Sequence, residues 1–332
     1  RFGEPVLLLH GFPESWWAHR ESICALAELG YAVVALDTKG YGQSETFVDF
    51  DALPDDVSCP APGEPPPAEL LNAETPAAWV SHARFEWHDQ ASEVDYLMTM
   101  LNAQHYSLYG VDRGAVIGDW VAGNVTAGRV SKYFRGQQTG PRLPGPDAAR
   151  PPVELIRSQF GALCVLPSPG FIPTIFTNVT GSRPPILPPD FDIDPDVLDR
   201  LVAEYVRPGV AVATSHSYVF HRKELETTRR LDDPGLYSRL AMPVLHVQGL
   251  WDLGQPVADY VFDEPGDDIF DFVQCTAYNI LDDAGHYSSI DNPRQVVDTV
   301  KAFFGPCLPP GFQFTADFGN NCTGLDVVRP PC

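Results

Sequence analysis

The sequence predicts an α/β fold, in which a mostly parallel sheet is flanked by helices and a helical lid is inserted. Short apolar segments alternate with amphipathic segments up to residue 138, and the pattern resumes at residue 241. With 332 residues, 44% of them hydrophobic, the chain can bury one large core and carry an insertion. We therefore predict a core at 1–138 and 241–306, a lid at 139–240 and a tail at 307–332.

The first elements of the core follow one another closely. Residues 6–10 are a continuous apolar strand, and residues 20–29 are an amphipathic helix that ends at Gly30. Residues 31–36 are predicted as a second buried strand. The proline-rich residues 53–76 break the pattern and are predicted as a surface excursion.

The later elements follow the same periodicities. They are predicted helices at 87–101, 115–121, 196–206, 210–225 and 292–304, and predicted strands at 106–111, 130–138 and 243–249. A helical insertion in such a sheet is expected to cover a site at the carboxyl ends of the strands.

Asp112 lies at the predicted turn between a strand and a helix, between Gly110 and Gly114. Flanking glycines let the backbone turn tightly and hold the central side chain exposed, which is typical of a nucleophile elbow. An esterase has serine there, whereas an aspartate attacks a saturated carbon and suits epoxide opening or halide displacement. The alternative is that Asp112 only caps the following helix.

Two further residues complete a catalytic triad. His286 lies in a loop before the last helix, where it can activate water to hydrolyse the ester. Asp252 follows the strand at 243–249, which we expect beside the elbow strand, and would orient the imidazole. A surface histidine and a turn aspartate before Pro256 are the alternatives. The order nucleophile, acid, histidine favours the triad.

The composition and net charge argue against several classes of binding partner. The net charge is -22 with a pI near 4.6 and no basic patch, which argues against nucleic acid and anionic membranes. No apolar run reaches the length of a membrane span. We interpret the acidity as favouring solubility. Ester formation and hydrolysis need no cofactor or metal, so a small electrophilic molecule is the predicted partner.

The cysteines and glycosylation motifs favour secretion. Cysteines in the aperiodic tail are expected to form disulfides: Cys307, Cys322 and Cys332. Three N-glycosylation motifs occur, at Asn124, Asn178 and Asn321. Cys24, on the apolar face of a predicted helix, is expected to be a buried free thiol.

Three motifs resemble those of one enzyme family. They are H-G-F-P-E-S-W at residues 10–16, D-T-K-G-Y-G-Q-S at 37–44 and D-R-G at 112–114. They are similar to the epoxide hydrolase and dehalogenase branch of the α/β-hydrolases, and the resemblance extends over about residues 4–304. It implies the α/β-hydrolase fold and an oxyanion hole formed by the backbone amides of Phe12 and Arg113.

The same resemblance places Tyr218 where the family has a lid tyrosine that protonates the epoxide oxygen. Its alternative is an aromatic core residue. The second lid tyrosine and the His-Trp halide clamp both map near Ala162 and Leu163, and neither is present. Val116 stands where haloacid dehalogenases have the arginine that binds the substrate carboxylate, which argues against a haloacid substrate. Arg113 stands where haloalkane dehalogenases have the halide-binding tryptophan, which argues against a haloalkane substrate.

The family normally has two strands before the strand at Val6. Without them we expect that strand to be an exposed edge unless another polypeptide, an N-terminal piece outside this chain, covers it.

These observations predict a secreted hydrolase that opens an epoxide through an ester on Asp112. The alternatives are an organohalide dehalogenase, a nonhydrolytic isomerase or cyclase, and a catalytically silent binding glycoprotein.

Overall fold

A computed structural model of the chain describes residues 3–46, 87–125, 128–137, 195–205, 240–252, 275–315 and 322. Six described strands form one sheet in the order β2-β1-β3-β4-β5-β6, and every neighbouring pair is parallel. The strands are β1 Pro5–Leu9, β2 Ala32–Leu36, β3 Tyr106–Val111, β4 Val130–Gly136, β5 Val244–Gly249 and β6 Thr276–Leu281. The predicted parallel α/β sheet is confirmed.

Helices cover both faces of the sheet. They are α1 Arg20–Glu28, α2 Trp87–Met100, α3 Arg113–Trp120, α4 Pro195–Tyr205, α5 Ser288–Asp291 and α6 Pro293–Phe304, with a 3-10 helix at Trp16–His19 and a π-helix at Val121–Val125. Helices α1 and α6 contact each other, as do α2 and α3. Leu7 and Leu9 pack with α2 and α3, while Val6 and Leu8 pack with α1 and α6. Burial on both faces explains the unbroken apolar run of β1.

The order of the strands corrects two expectations. The strand at Val6 is not an edge, because β1 lies between β2 and β3 and its residues 6–9 are fully buried. The described edge on that side is β2, whose residues are only partly buried, so the expectation of a second buried strand was also wrong. An additional N-terminal polypeptide that pairs with the sheet would meet β2 and not β1.

The structure also contradicts an expectation about strand order and one about Cys24. The strand that leads to Asp252 is not beside the elbow strand, because β4 lies between β3 and β5. Cys24 is a free thiol but is exposed. The buried stripe of α1 comprises Ser22, Ala25 and Leu26, at spacings of three and four, which leaves Cys24 off that stripe.

The beginning of the tail packs on the outer side of β6. The backbone N–H of Ile280 donates to the hydroxyl oxygen of Thr315 at 2.9 Å, and Phe314 packs against the core. Cys275 forms a disulfide with Cys322, and Cys307 is also disulfide-bonded. Several predicted features lie outside the described residues: the segment 53–76, the helix at 210–225, Ala162, Leu163, Tyr218, Asn178, Asn321 and Cys332. The described helices include none with the length and apolar character needed to cross a membrane.

Candidate active site

The elbow is built from one strained aspartate and two glycines. Asp112 joins β3 to α3 with φ at 48°, a conformation that costs a non-glycine residue of order 1–3 kcal/mol. A Cβ on Gly110 would lie 2.7 Å from the carbonyl oxygen of Gly114, and one on Gly114 would lie 2.2 Å from that of Leu9. The two glycines therefore let the turn pack tightly against β1.

The carboxylate of Asp112 does not cap the helix. Asp112 occupies the N-cap position of α3, yet its side chain makes no capping hydrogen bond. Its Oδ1 accepts instead from the backbone N–H of Phe12 at 2.9 Å. A Cβ on Gly11 would lie 2.5 Å from the Cβ of Asp112, so only glycine permits this approach. The geometry is therefore that of a nucleophile held against an amide donor.

His286 lies between the two aspartates. Its Nδ1 is 2.7 Å from Oδ2 of Asp252, and its Nε2 is 3.5 Å from Oδ2 of Asp112. The loops after β5 and β6 are in close contact, since a Cβ on Gly249 would lie 2.2 Å from the carbonyl oxygen of Gly285. The backbone N–H of Trp251 also donates to the carbonyl of Ala284 at 3.0 Å. The structure thus brings together the three side chains predicted as a triad.

The charges of these groups depend on one another. Burial alone lowers the pKa of His286, but the negative charges and hydrogen bonds of Asp252 and Asp112 raise it well above its ordinary value. Burial raises the pKa of Asp112, whereas His286, the charge of Arg113 and the amide of Phe12 together bring it below its ordinary value. The resting site therefore favours an ionised Asp112 beside a protonated imidazole.

The loop at residues 37–44 supports the Phe12 loop. Asp37 accepts from the backbone N–H of Trp16 at 3.1 Å and from that of Gln43 at 2.8 Å. His10 accepts at Nε2 from the backbone N–H of Thr38 at 2.9 Å, which leaves Nδ1 to donate to the carbonyl of Gly11 at 2.8 Å. Burial outweighs the nearby carboxylates and lowers the pKa of His10, so the ring is neutral. Both motif loops are thereby held together.

Sequence reasoning missed a buried polar chain that joins the Phe12 loop to the His286 loop. Glu14 accepts from the backbone N–H of Gly11 at 3.2 Å, and its Oε2 lies 3.3 Å from Nε2 of His19. Nδ1 of His19 lies 2.9 Å from the hydroxyl of Ser289, on α5. Their proximity to the H-G-F-P motif was the only available signal, because Ser289 is distant in sequence.

Two buried glutamines were also missed. Gln248, in β5, donates from Nε2 to Oδ2 of Asp252 at 2.5 Å. Gln137, just after β4 with φ at 45°, donates to the hydroxyl of Ser288 on α5. A polar residue near the end of a mostly apolar predicted strand was the signal for Gln248, since buried polar groups need partners.

The remaining predicted site residues are only partly described. Arg113 is the first residue of α3, and its guanidinium lies 5.6 Å from the centroid of the Phe12 ring. Asn124 lies in the π-helix Val121–Val125. Tyr218 lies outside the described residues, as do Asn178 and Asn321. Within the described ranges, no group of three or more His, Cys, Asp or Glu residues could hold a metal ion.

A family model described as the alpha/beta hydrolase fold matches residues 4–133. This match covers β1 to the middle of β4, including both motif loops and the elbow.

Two curated relatives are epoxide hydrolases of Mycobacterium tuberculosis strain H37Rv. Epoxide hydrolase B is 58% identical over 45 residues, which is 14% of this chain and 13% of that protein. Epoxide hydrolase A is 25% identical over 341 residues and 91% of each chain. The stronger identity is therefore confined to a short segment, whereas the weaker one extends along almost the whole chain.

Solved structures agree on the architecture. The epoxide hydrolase CorEH has a TM-score of 0.63 at 20% identity, with 92% of each chain covered. An esterase of Exiguobacterium antarcticum, EaEST, also has a TM-score of 0.63, at 14% identity, with 91% of this chain and 92% of that chain covered. At such identities the likeness establishes the fold, and the reaction has to be argued from the site.

Proposed function

We propose that this chain is an α/β-hydrolase that opens epoxides through a covalent ester on Asp112. The observation that carries this proposal is the carboxylate at the elbow, held by the Phe12 amide and facing the imidazole of His286. A carboxylate nucleophile forms an ester with an alkyl carbon, and the neighbouring base can then hydrolyse it.

In the first step, Oδ2 of Asp112 attacks an epoxide carbon and the bond between that carbon and the ring oxygen breaks. Oδ1 stays at the Phe12 amide and becomes the carbonyl oxygen of the ester. The released alkoxide needs a proton, which we assign to the phenol of Tyr218 on the basis of the family resemblance.

In the second step, His286 accepts a proton from water. Ester formation removes the negative charge of Asp112, which is one of the groups that raise the pKa of His286. The imidazole therefore loses its proton more readily once the ester has formed, and transfer of that proton to the Tyr218 phenolate restores the phenol and leaves a neutral base. The hydroxide attacks the carbonyl carbon, and the oxyanion on Oδ1 is stabilised by the amides of Phe12 and Arg113. Collapse expels the diol, whose oxygen takes the proton from the imidazolium.

A single turnover in ¹⁸O-water tests this mechanism. The heavy oxygen should appear in Asp112, because water attacks the carboxyl carbon and the first diol keeps an oxygen from the protein. Mass spectrometry of the peptide that contains Asp112 measures the label. If the heavy oxygen instead appears in the diol of that first turnover, water attacks the epoxide directly and the covalent mechanism is wrong.

A matched panel of epoxides and organohalides tests the leaving group. Val116 and Arg113 replace the side chains that bind haloacids and halides in the resembling dehalogenases, so we expect diols from the epoxides and no halide release. Halide release with unchanged epoxides would favour dehalogenation. A product that is isomeric with the epoxide, with no water incorporated, would favour the nonhydrolytic alternative.

We also propose that the protein is a secreted glycoprotein. The disulfide between Cys275 and Cys322 supports an oxidising compartment, because disulfides rarely persist in the cytosol. Peptide mapping before and after enzymatic deglycosylation should show mass changes at Asn124, Asn178 and Asn321. Unmodified peptides from the native source would contradict glycosylation.

A further inference from the structure

Two side chains donate to the same oxygen of Asp252. Nδ1 of His286 lies 2.7 Å from Oδ2, and Nε2 of Gln248 lies 2.5 Å from it. Gln248 is fully buried and Asp252 is 1% exposed, so little water competes for this oxygen. The mechanism above uses the first of these contacts and leaves the second without a role.

We propose that Gln248 is a positioning residue that orients the carboxylate of Asp252 and sets how strongly Asp252 holds the imidazolium of His286. For catalysis this rests on the proposed function, in which His286 activates water. The contact itself is a property of the resting protein and can be tested without substrate.

The backbone places Gln248 for this role. It pairs with Ile280 in the register of β5 and β6, one residue before β5 ends at Gly249. The chain then turns back, with the backbone N–H of Asp252 donating to the carbonyl of Gly249 at 3.2 Å. The Asp252 carboxylate therefore lies within reach of the side chain of the strand that leads to it.

Two donors on one oxygen have two consequences. They restrict rotation of the carboxylate, which keeps Oδ2 toward Nδ1 and leaves Nε2 of His286 facing Asp112. The amide also offsets part of the negative charge that Asp252 exerts on the imidazole. Without Gln248, Asp252 should hold the imidazolium more tightly and in a less defined orientation.

Nitrogen NMR of the ring of His286 in the full chain tests the inference. Among the described residues, the groups that face this ring are Asp252, Asp112 with Arg113 beside it, and the ring of Tyr287 at 5.1 Å. Gln248→Met removes the donor with little change in shape, and Gln248→Asn keeps an amide but withdraws it by one methylene. We expect both to raise the pKa of His286 by roughly half a unit to one unit.

Asn279→Leu is the matched control. Asn279 is a buried amide on the neighbouring strand that donates to the hydroxyl of Thr299 at 2.9 Å, and no described contact joins it to Asp252. We expect it to leave the pKa of His286 unchanged, with folding of every variant checked by near-UV circular dichroism. A positioning role is excluded if the Gln248 variants leave the pKa unchanged, if they shift it no more than the control does, or if neither of them folds.

Kinetics separates this inference from the proposed function. If epoxides are substrates, the Gln248 variants should slow ester hydrolysis by roughly tenfold and leave ester formation nearly unchanged, so that the ester accumulates. If wild type opens no epoxide while the variants still shift the His286 pKa, the proposed function fails and the positioning role stands. Equal slowing of both steps, without a pKa shift, would overturn the positioning role.

Discussion

Helix α3 separates two aspartates that have opposite environments. Asp112, at its start, has a positive φ, a side chain that is 18% exposed, one amide donor at 2.9 Å and an imidazole at 3.5 Å. Asp119, near its end, is fully buried and accepts two hydrogen bonds from Arg135, at 2.9 and 3.0 Å. The hydroxyl of Tyr133 lies 3.0 Å from Asp119 as well.

The difference shows how one helix carries both a reactive and a structural carboxylate. A buried charge with a bidentate partner is stabilised in one geometry, and its removal leaves the partner uncompensated. A carboxylate held by few donors in a strained backbone keeps an oxygen available for attack.

His246 is a buried neighbour of Arg135, the partner of Asp119. It is aligned with Arg135 across β4 and β5, and both side chains are buried. Burial first, and the charge of Arg135 second, lower the pKa of His246 well below its ordinary value. The imidazole is therefore neutral, and Arg135 remains the cation beside Asp119.

The largest expected effect is on catalysis. Asp112→Asn removes the nucleophile, and we expect turnover to fall by roughly 10⁴-fold or more, as for other catalytic groups that act as a unit. Stability should fall only by the contribution of the Asp112 charge, because asparagine tolerates a positive φ and Asp112 does not cap the helix. Steady-state kinetics and urea unfolding measure the two effects. Retained turnover would contradict the nucleophile.

The second effect is on stability. Asp119→Asn leaves Arg135 buried beside a neutral group, and we expect the free energy of unfolding to fall by about 3–5 kcal/mol. Asp119→Leu combined with Arg135→Met is the control, because it removes both charges and should restore much of that loss. Urea unfolding measures each variant. The contrast between the two aspartates fails if Asp119→Asn is as stable as wild type.

A third effect is the dependence of stability on pH. The folded pKa of His286 is raised, so its contribution is fully present below the unfolded pKa and is lost as pH rises through the folded pKa. The folded pKa of Asp112 is lowered, so its contribution is present above the unfolded pKa and is lost as pH falls through the folded pKa. We expect His286→Asn to remove the loss of stability that occurs as the pH rises through the folded pKa of His286. Thermal unfolding at several pH values measures this. If the stability of the variant falls with rising pH as steeply as that of wild type, another group is responsible for the loss.

The smallest effect concerns Tyr133, whose hydroxyl lies 2.6 Å from the carbonyl of Ala115 and 3.0 Å from Asp119. Tyr133→Phe should lower the free energy of unfolding by about 1 kcal/mol, the typical value of one hydrogen bond. Turnover should be unchanged, because the hydroxyl contacts the Ala115 carbonyl and the Asp119 carboxylate and, among the described contacts, none of the triad side chains. A loss of turnover in the folded variant would show that the two ends of the helix are coupled.

Much of the candidate site could be predicted because its signals are local. The glycines around Asp112 predict a tight elbow from backbone sterics alone, and the structure has that turn. The order of Asp112, Asp252 and His286 predicts that they meet if each follows a parallel strand, and they do.

The partners of these residues could not be predicted, since they depend on contacts between distant segments. Gln248 reads as one more residue of a buried strand, and Glu14, His19 and Ser289 share no local pattern. The pair of Asp119 and Arg135 joins a helix to the next strand across 16 positions. Cys24 was misplaced because the buried face of α1 depends on where α6 packs.

By itself, the sequence determined the alternation of strands and helices, the elbow and the residue types of the triad, because periodicity and glycine sterics act over a few residues. Only the tertiary structure decided that β1 is interior, that β4 separates the elbow strand from the strand of Asp252, and which buried groups hold the triad. Strand order and polar pairing depend on residues that are far apart in the chain, and no short pattern encodes them.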